Sequence, residues 1–160
     1  MCDRCGEPGF GLHGFSVAER PAQRLVGRAW EGPYGVGAPD AIQSLIEDIK
    51  AVAAREQGIW RSPIVGLATN RADGFRYFVG FETDADVAGL ETVQIPAMRF
   101  ASLWYVPGEG EVAGRYQDML AWIDSEGLSR DRTQLDQREE FPPDVDFSQP
   151  LSLRIMLPVI

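Results

Sequence analysis

The sequence predicts an α+β fold in which tandem duplicated strand–helix–strand–strand units form a concave antiparallel sheet layer, with two long helices packed on one side. Three observations support this. Two segments repeat apolar residues at helical spacing, and short alternating segments flank each of them. The order strand, glycine-rich turn, helix, strand, strand begins near Gln23 and begins again near Met98. Two copies indicate a duplicated domain rather than a solenoid, which needs three or more units.

The helices are predicted over 41–58 and 111–127, where apolar residues follow the i, i+3, i+4, i+7 rule. Asp40 marks the cap region of the first helix, and Gly58 and Gly127 mark the two ends. The inner stripes are Ile42, Leu45, Ile46, Ile49 and Ala53 in the first helix, and Val112, Tyr116, Met119, Leu120 and Ile123 in the second.

The strands are predicted from short alternating segments bounded by Gly, Pro, Asn and Asp. A turn at Pro21 joins the first two strands, and the turn-rich segment 70–74 joins the third and fourth into a hairpin. The fifth is a short edge strand. The predicted strands span 15–20, 23–30, 62–69, 75–83, 90–96, 98–107, 132–141 and 151–159.

The length of 160 residues suits one domain with a sizeable core. We divide the chain into a flexible lead-in over 1–14 and a folded domain over 15–160, with internal repeats over about 23–83 and 98–159. No run of about 18 apolar residues exists, and the N-terminus lacks the pattern of a signal peptide. We therefore expect no membrane association and a cytoplasmic location.

The net charge is −9, and 14 of the 15 basic residues are arginine. An acidic surface repels phosphate backbones, so we expect no direct nucleic-acid binding. Such a surface tolerates a cation, although solubility is the more ordinary reason for it.

The cysteines Cys2 and Cys5 form a C-x-x-C pair at the start of the chain. A structural zinc site needs four ligands, and His13 could supply only a third. A thioredoxin-type motif should lie where a strand meets a helix, whereas this pair lies in a glycine-rich lead-in. We expect neither a metal nor a cofactor, and we interpret the lead-in as a loose terminal segment.

Catalytic motifs are scarce. His13 is the only histidine, so nucleophile chemistry of the Ser–His–Asp or Cys–His type lacks its base. The sequence contains no H-E-x-x-H, no G-x-x-x-x-G-K and no G-x-S-x-G. Carboxylates remain as the candidate functional groups.

Glu139 is the carboxylate whose strand position predicts burial. Successive side chains of a strand point to opposite faces, so Leu135, Gln137, Glu139 and Phe141 should share one face. Leu135 and Phe141 are large and apolar, and that face should therefore look inward. An unpaired carboxylate there is costly. Either an arginine of the chain pairs with Glu139, or the strand end frays into water, or an organic cation arrives from outside.

Aromatic residues on the predicted strands would complete such a site. Trp30, Tyr77, Trp104 and Phe141 are the candidates, because aromatic faces attract cations within about 6 Å. Core packing is the ordinary alternative for each of them. Convergence with Glu139 on a groove between the two halves would favour a ligand site.

Four segments in order carry a family resemblance: "RLVGRAWEGPY", the first helix, "IPAMRFASLWYVPG" and "REEFPPDV…SLRIMLPV". In these segments the chain resembles the GyrI-like small-molecule-binding domain, which is also the effector-binding half of MerR- and AraC-type multidrug regulators. The resemblance covers roughly residues 15–160. It implies a tandem of strand–helix–strand–strand units.

The resemblance also implies a site. Family members typically hold a glutamate on the penultimate strand, in a phrase like F-E-x-Y, where it receives lipophilic cations. That phrase aligns with "REEF", which places the glutamate at Glu139 and its aromatic partner at Phe141. Arg138 departs from the usual apolar residue, and Glu140 adds a second acid. The implied function is a stand-alone module that binds amphipathic, cationic or aromatic small molecules, with a glutamate as counter-charge.

Alternatives stay open. Some family members open strained rings hydrolytically with pocket carboxylates, so Glu139 could act as a general base beside Glu31, Tyr34 or Tyr105. Others are proposed to inhibit gyrase, which would use the acidic surface. We expect a stand-alone form without a helix-turn-helix, while a regulator or topoisomerase as protein partner and a homodimer both stay open.

Overall fold

The computed structural model describes residues 14–108 and 110–160, so the predictions about Cys2, Cys5 and His13 lie outside the described residues. Eight strands and two helices are present in this part of the chain. In chain order they are β1 (Ser16–Arg20), β2 (Gln23–Gly32), α1 (Ala38–Gln57), β3 (Ile64–Arg71), β4 (Gly74–Glu82), β5 (Glu91–Ile95), β6 (Met98–Tyr105), α2 (Val112–Ser125), β7 (Gln137–Phe141) and β8 (Leu153–Val159).

The strands form one antiparallel sheet in the order β1-β6-β8-β7-β3-β4-β2-β5. β7 and β3 meet in the middle, and the two units β2-α1-β3-β4 and β6-α2-β7-β8 extend outward from them in matching order. The edge strands are exchanged: β1 precedes the first unit but pairs with β6, and β5 precedes the second unit but pairs with β2. The α+β fold of duplicated units that the sequence predicts is confirmed.

Two short connections show that the sheet is strongly curved. Pro21 and Ala22 alone join β1 at one edge to β2 near the other, and Pro96 and Ala97 join β5 to β6 in the same way. A flat sheet would separate β1 from β2 by six strand spacings, roughly 29 Å. The connection spans at most about 11 Å. The sheet therefore curls until its two edges approach each other, which gives the concave layer.

The face without helices lies inside this curl. Residues from the two edges, Ala18 of β1 and Ile95 of β5, belong to one buried cluster with Val65 and Met156 of the central strands. We call this side the curled interior. Because it closes on itself, it needs no helix to cover it.

Both helices pack on the opposite, helix-bearing face. α1 buries Leu45, Ile46, Ile49 and Ala53, and α2 buries Met119 and Ile123, all within the predicted inner stripes. These side chains join one cluster with alternate residues of β3, β4, β6, β7 and β8. Neither helix combines the length and the apolarity needed to span a membrane.

The ends of α1 follow from local chemistry. The helix starts at Ala38, earlier than predicted, because Pro39 fits a first helical turn; Asp40 therefore lies in that turn rather than at the cap. Gly58 ends the helix with φ of 64°, a left-handed conformation that favours glycine.

One strand prediction is partly wrong. β7 begins at Gln137, whereas the sequence predicts a strand from residue 132. The preceding segment bends instead, since the backbone N–H of Asp136 donates to the carbonyl of Ala68 at 2.9 Å and its carboxylate accepts from the N–H of Asn70 at 2.7 Å. Leu135 is buried in the curled interior. It therefore does not share a face with Glu139, because the alternation does not extend across the bend.

Candidate functional site

Glu139 lies at the centre of the sheet, where the two units meet. It pairs with Gly66 of β3 on one side and with Ile155 of β8 on the other. Its neighbours on the same face of β7, Gln137 and Phe141, alternate with Arg138 and Glu140, which point into the curled interior. The carboxylate thus projects from the helix-bearing face, between the region that α1 covers and the region that α2 covers.

Two tyrosines hold the Glu139 carboxylate. The Tyr77 hydroxyl donates to Oε1 at 2.7 Å, and the Tyr116 hydroxyl donates to Oε2 at 3.1 Å. Within the described residues, no arginine or lysine forms an ion pair with Glu139. A carboxylate has about four positions at which it accepts hydrogen bonds, so two phenols leave capacity for a further partner.

Tyr77 reaches Glu139 by crossing a neighbouring strand. It lies on β4 opposite Ala68 of β3, whereas Glu139 lies opposite Gly66, two residues away on the same strand. A Cβ atom at Gly66 would overlap the Tyr77 hydroxyl oxygen. The phenol therefore passes directly over Gly66, and the glycine provides the space that it occupies.

The surroundings of Glu139 determine how readily its carboxyl group ionises. Burial raises the pKa of Glu139 above its ordinary value, and the hydrogen bonds from Tyr77 and Tyr116 oppose that rise only in part. Burial, and then the charge of Glu139, raise the pKa of both phenols well above 10. The tyrosines are therefore permanent hydrogen-bond donors at neutral pH, and Glu139 is the group that titrates.

Glu139 is surrounded by protein but not sealed. As a whole residue Glu139 is half-buried, while Tyr77 is only 3% exposed. The deep setting explains the raised pKa, and the residual exposure shows that solvent still reaches part of the residue. The carboxylate therefore lies deep on the helix-bearing face, in contact with the Tyr77 and Tyr116 hydroxyls.

Two predicted aromatic residues lie on the same face as Glu139 and Tyr77. Phe141 is 5% exposed, follows Glu139 on this face of β7, and its ring lies 6.3 Å from that of Phe147. Trp30 is opposite Tyr77 in the β2–β4 pair, and its ring meets the edge of Phe75 at 5.3 Å. Trp30 is partly exposed, so it can form a wall further from the carboxylate.

Trp104 lies on the other face of the sheet. Its neighbours Leu103 and Tyr105 belong to the helix-side cluster, and strand alternation therefore directs Trp104 away from Glu139. The Arg154 guanidinium lies 5.8 Å from its ring centroid, inside the curl. The structure does not bring Trp104 together with the other predicted site residues. Successive residues of β6 point to opposite faces of the sheet, and Trp104 has the position that points into the curled interior.

Tyr116 is the site residue that sequence reasoning missed. It appears in the predicted inner stripe of the second helix, and a hydroxyl on that otherwise apolar stripe, above a strand with a buried acid, is the signal that could have identified it. The three suggested partners of Glu139 have other contacts. Tyr105 donates to the carbonyl of Gly110 at 2.7 Å, Tyr34 donates to Asn70 at 2.6 Å, and Glu31 pairs with Arg71 at 2.8 Å.

The second carboxylate of β7, Glu140, has a different environment. Arg20 donates to both of its oxygens at 2.8 Å, and Arg138 donates to Oε2 at 2.8 Å. Arg154 lies 3.8 Å away and donates to Ser102. Burial alone would raise the pKa of Glu140, but the hydrogen bonds and charges of Arg20 and Arg138 hold it below its ordinary value. Glu140 is therefore internally neutralised.

Two surface cavities lie away from Glu139. One of about 290 Å³ is lined in part by Arg20, Arg138 and Glu140, and one of about 450 Å³ by Glu31, Arg71 and Phe75. In the described part of the chain no His, Cys, Asp and Glu side chains are grouped as metal ligands. The candidate site is identified by its chemistry, a deep carboxylate that accepts hydrogen bonds from two phenols and pairs with no cation among the described residues.

Comparison with solved structures gives several full-length matches at low sequence identity. SAV2435 bound to tetraphenylphosphonium has a TM-score of 0.70 at 15% identity, covering 92% of this chain and 94% of that one. The C-terminal domain of EcmrR has a TM-score of 0.68 at 14% identity, covering 93% and 98%. A protein of Listeria innocua described as a hydrolase has a TM-score of 0.58 at 14% identity, covering 92% of both chains. At these identities the likeness shows a shared fold.

The sequence itself identifies the family. None of the curated proteins matches the chain. The model of the GyrI-like small molecule binding domain, however, matches residues 14–160, which includes both units of the sheet and Glu139. The chain belongs to the GyrI-like family of small-molecule-binding domains.

Proposed function

We propose that this protein captures an amphipathic, cationic or aromatic small molecule in the groove between its two units, with Glu139 as the counter-charge. One observation carries the proposal. Glu139 has two phenol donors and no cation within the described residues, although 14 arginines are present in the chain. A deep carboxylate without a cation is unfavourable by itself, and a cationic ligand would remove that penalty.

Aromatic residues on the face of Glu139 would suit such a ligand. Phe141 and Tyr77 are buried on that face, and the partly buried Trp30 and Phe75 pack against the same cluster. Aromatic faces attract cations and bury the apolar arms of the same molecule. That SAV2435, a protein of similar fold, has been solved with tetraphenylphosphonium is consistent with this ligand class.

Binding of a cationic dye tests the proposal. A rhodamine or a quaternary ammonium dye, titrated by fluorescence at pH 7, should bind the wild-type protein. Glu139→Gln should weaken binding by about 1–3 kcal/mol, which is roughly 5- to 150-fold. Tetraphenylphosphonium, titrated by calorimetry, should show the same loss. The loss should vary little with salt, since a buried pair is poorly screened.

Glu56→Gln is the matched control. Glu56 is exposed on α1, and its replacement changes the net charge by the same amount as Glu139→Gln. We expect wild-type affinity for this control. Equal weakening in both variants would indicate attraction by the overall acidic charge, and unchanged affinity in Glu139→Gln would reject its role as counter-charge.

A hydrolase is the second candidate function, and one observation favours it. Tyr77 and Tyr116 place two hydroxyl groups on Glu139, so a candidate general base and two candidate proton donors meet at one position. A neighbour of similar fold is described as a hydrolase. Turnover of a strained or activated electrophile by the wild-type protein, lost in both Glu139→Gln and Tyr116→Phe, would separate catalysis from simple binding.

The remaining sequence predictions are unchanged. A role in transcription regulation, a protein partner such as a regulator or topoisomerase, a homodimer and a bacterial, cytoplasmic setting stay predictions. Trp104 is no longer part of the proposed binding surface, which consists of Glu139, Tyr77, Tyr116, Phe141 and Trp30.

A further inference from the structure

Gly66 is a glycine whose backbone does not require one. It lies in the middle of β3, at the centre of the sheet, and is not among the described glycines with positive φ. Glycine inside a strand is less favourable than alanine by roughly 0.5–1 kcal/mol and contributes no packing surface. The reason for glycine at this position must therefore lie in the space around it.

That space is occupied by a functional group. A Cβ atom at Gly66 would overlap the hydroxyl oxygen and Cζ of Tyr77 and would lie 2.9 Å from its Cε1. Gly27 is different, because a Cβ atom there would meet the backbone of Val79 and Gly80. Gly27 thus permits close packing of two strands, whereas the three nearest atoms at Gly66 all belong to the outer end of the tyrosine that holds Glu139.

We propose that Gly66 is a positioning residue of the candidate site: its missing side chain opens the path by which Tyr77 crosses β3 and donates a hydrogen bond to Glu139. This contact fixes one carboxylate oxygen. An effect of Gly66 on cation affinity rests on the proposed function, whereas its effect on the titration of Glu139 does not.

The contact also determines how readily Glu139 keeps its charge. The groups that face it are Tyr77 from β4, Tyr116 from α2, Gln137 and Phe141 on β7, and Ile155 on β8. None of these is cationic, so the two phenols are the main groups that favour the ionised form. A methyl group at position 66 should displace the Tyr77 hydroxyl, which lies 2.7 Å from the Glu139 carboxylate. The Tyr116 hydroxyl, at 3.1 Å, would stay in place.

The test is a carbon-detected NMR titration of the glutamate carboxyl groups in the ligand-free protein. We compare wild type, Gly66→Ala, Tyr77→Phe and the double variant, and assign the Glu139 signal by its loss in Glu139→Gln. Each single variant should move the Glu139 titration midpoint upward by about 0.5–1 pH unit, the value expected for one lost hydrogen bond. The double variant should move it no further than the larger single effect.

A Glu139 midpoint in folded Gly66→Ala equal to that of wild type would overturn the inference, as would additive shifts in the double variant. A purely structural glycine would lower the melting temperature without moving this midpoint. If Gly66→Ala does not fold, Gly66→Ala combined with Tyr77→Leu should restore folding, because leucine lacks the outer ring atoms that overlap. Failure of that rescue would also overturn it.

The result is separable from the proposed function. Shifted midpoints together with unchanged dye affinity in Glu139→Gln would retain Gly66 as a positioning residue and reject the cation receptor. Unshifted midpoints together with lost dye affinity in Glu139→Gln would reject Gly66 as a positioning residue and retain the cation receptor.

Discussion

Glu139 and Glu140 are adjacent in the chain and chemically identical, yet the two faces of β7 give them opposite surroundings. Glu140 enters the curled interior, where Arg20 and Arg138 both donate to it at 2.8 Å. Glu139 points to the helix-bearing face, where it accepts hydrogen bonds from two phenols. The pKa of Glu140 is lowered and the pKa of Glu139 is raised.

This difference separates an acid that arginines neutralise from an acid that only phenols contact among the described residues. The Glu140 network connects β1, β7 and β2, because Arg138 also donates to Gln23 at 2.7 Å. It therefore ties the curled edges to the centre of the sheet. Glu139 ties Tyr116 of α2 to Tyr77 of β4 through a charge that the described residues do not neutralise. Because the described residues place no cation on Glu139, it is the carboxylate to which we assign the proposed ligand.

The comparison also explains two departures from the family pattern. Arg138 and Glu140 flank Glu139 in sequence, and either could have altered the pocket. Strand alternation places both on the other face, where they pair with each other. Neither the extra acid nor the extra base therefore lies on the face of β7 that carries Glu139.

The largest expected effect comes from Glu140→Gln. It removes the carboxylate that pairs with the Arg138 guanidinium at 2.8 Å and lies 3.8 Å from that of Arg154, and these arginines are only 1% and 2% exposed. Removal of one partner from a buried ionic network destabilises proteins by about 3–5 kcal/mol. Urea unfolding at pH 7 measures this change. A loss below about 1 kcal/mol would show that the network contributes little to the curled sheet.

Glu139→Gln should act in the opposite direction. Glutamine keeps an acceptor for Tyr77 and removes a desolvated charge, so the free energy of unfolding at pH 7 should rise by about 1 kcal/mol. The same urea series measures it. Destabilisation similar to that of Glu140→Gln would mean that both acids are structural.

The pH dependence sharpens the contrast. Because the pKa of Glu139 is raised in the folded protein, its contribution to stability is complete below the unfolded value of about 4.3 and is lost as the pH rises through the folded value. The free energy of unfolding of Glu139→Gln should therefore exceed that of wild type by less as the pH falls toward about 4.3.

Glu140 has a lowered pKa, so its contribution is present above the unfolded value and is lost as the pH falls through the folded value. The deficit of Glu140→Gln relative to wild type should therefore persist to a lower pH than the advantage of Glu139→Gln. Thermal unfolding from about pH 2.5 to pH 8 measures both trends, because the loss for Glu140 falls below the unfolded value of about 4.3, and parallel curves for the two variants would contradict the assignment.

The smallest effect concerns Trp104. It faces the curled interior, so Trp104→Phe should change dye affinity by less than about 0.3 kcal/mol, whereas Trp30→Phe should weaken it by about 0.5–1 kcal/mol. Fluorescence titration of the two variants measures the difference. A larger loss for Trp104→Phe would place the ligand on the other face.

Periodicity was sufficient to predict both helices, their inner stripes and the order of the duplicated units, because these depend on neighbouring residues. It also predicted that Glu139 faces inward. That prediction used Leu135 and Phe141 as apolar residues on the same strand face. Leu135, however, precedes the bend before β7 and lies in the curled interior. The exchange of β1 and β5 was not predictable, since it depends on pairing between distant strands. The meeting of Tyr116 with Glu139 and the orientation of Trp104 depend on packing and register, which composition and spacing do not determine.

Proton release on ligand binding tests the central claim most directly. Calorimetric titration of the dye at mildly acidic pH, in buffers of different ionisation enthalpy, measures the protons exchanged per ligand bound. A cation that pairs with Glu139 should favour its ionised form. Wild type should therefore release a fraction of a proton on binding, and Glu139→Gln should release none. Equal release by both proteins would contradict the account, because the ligand would then not meet its counter-charge at Glu139.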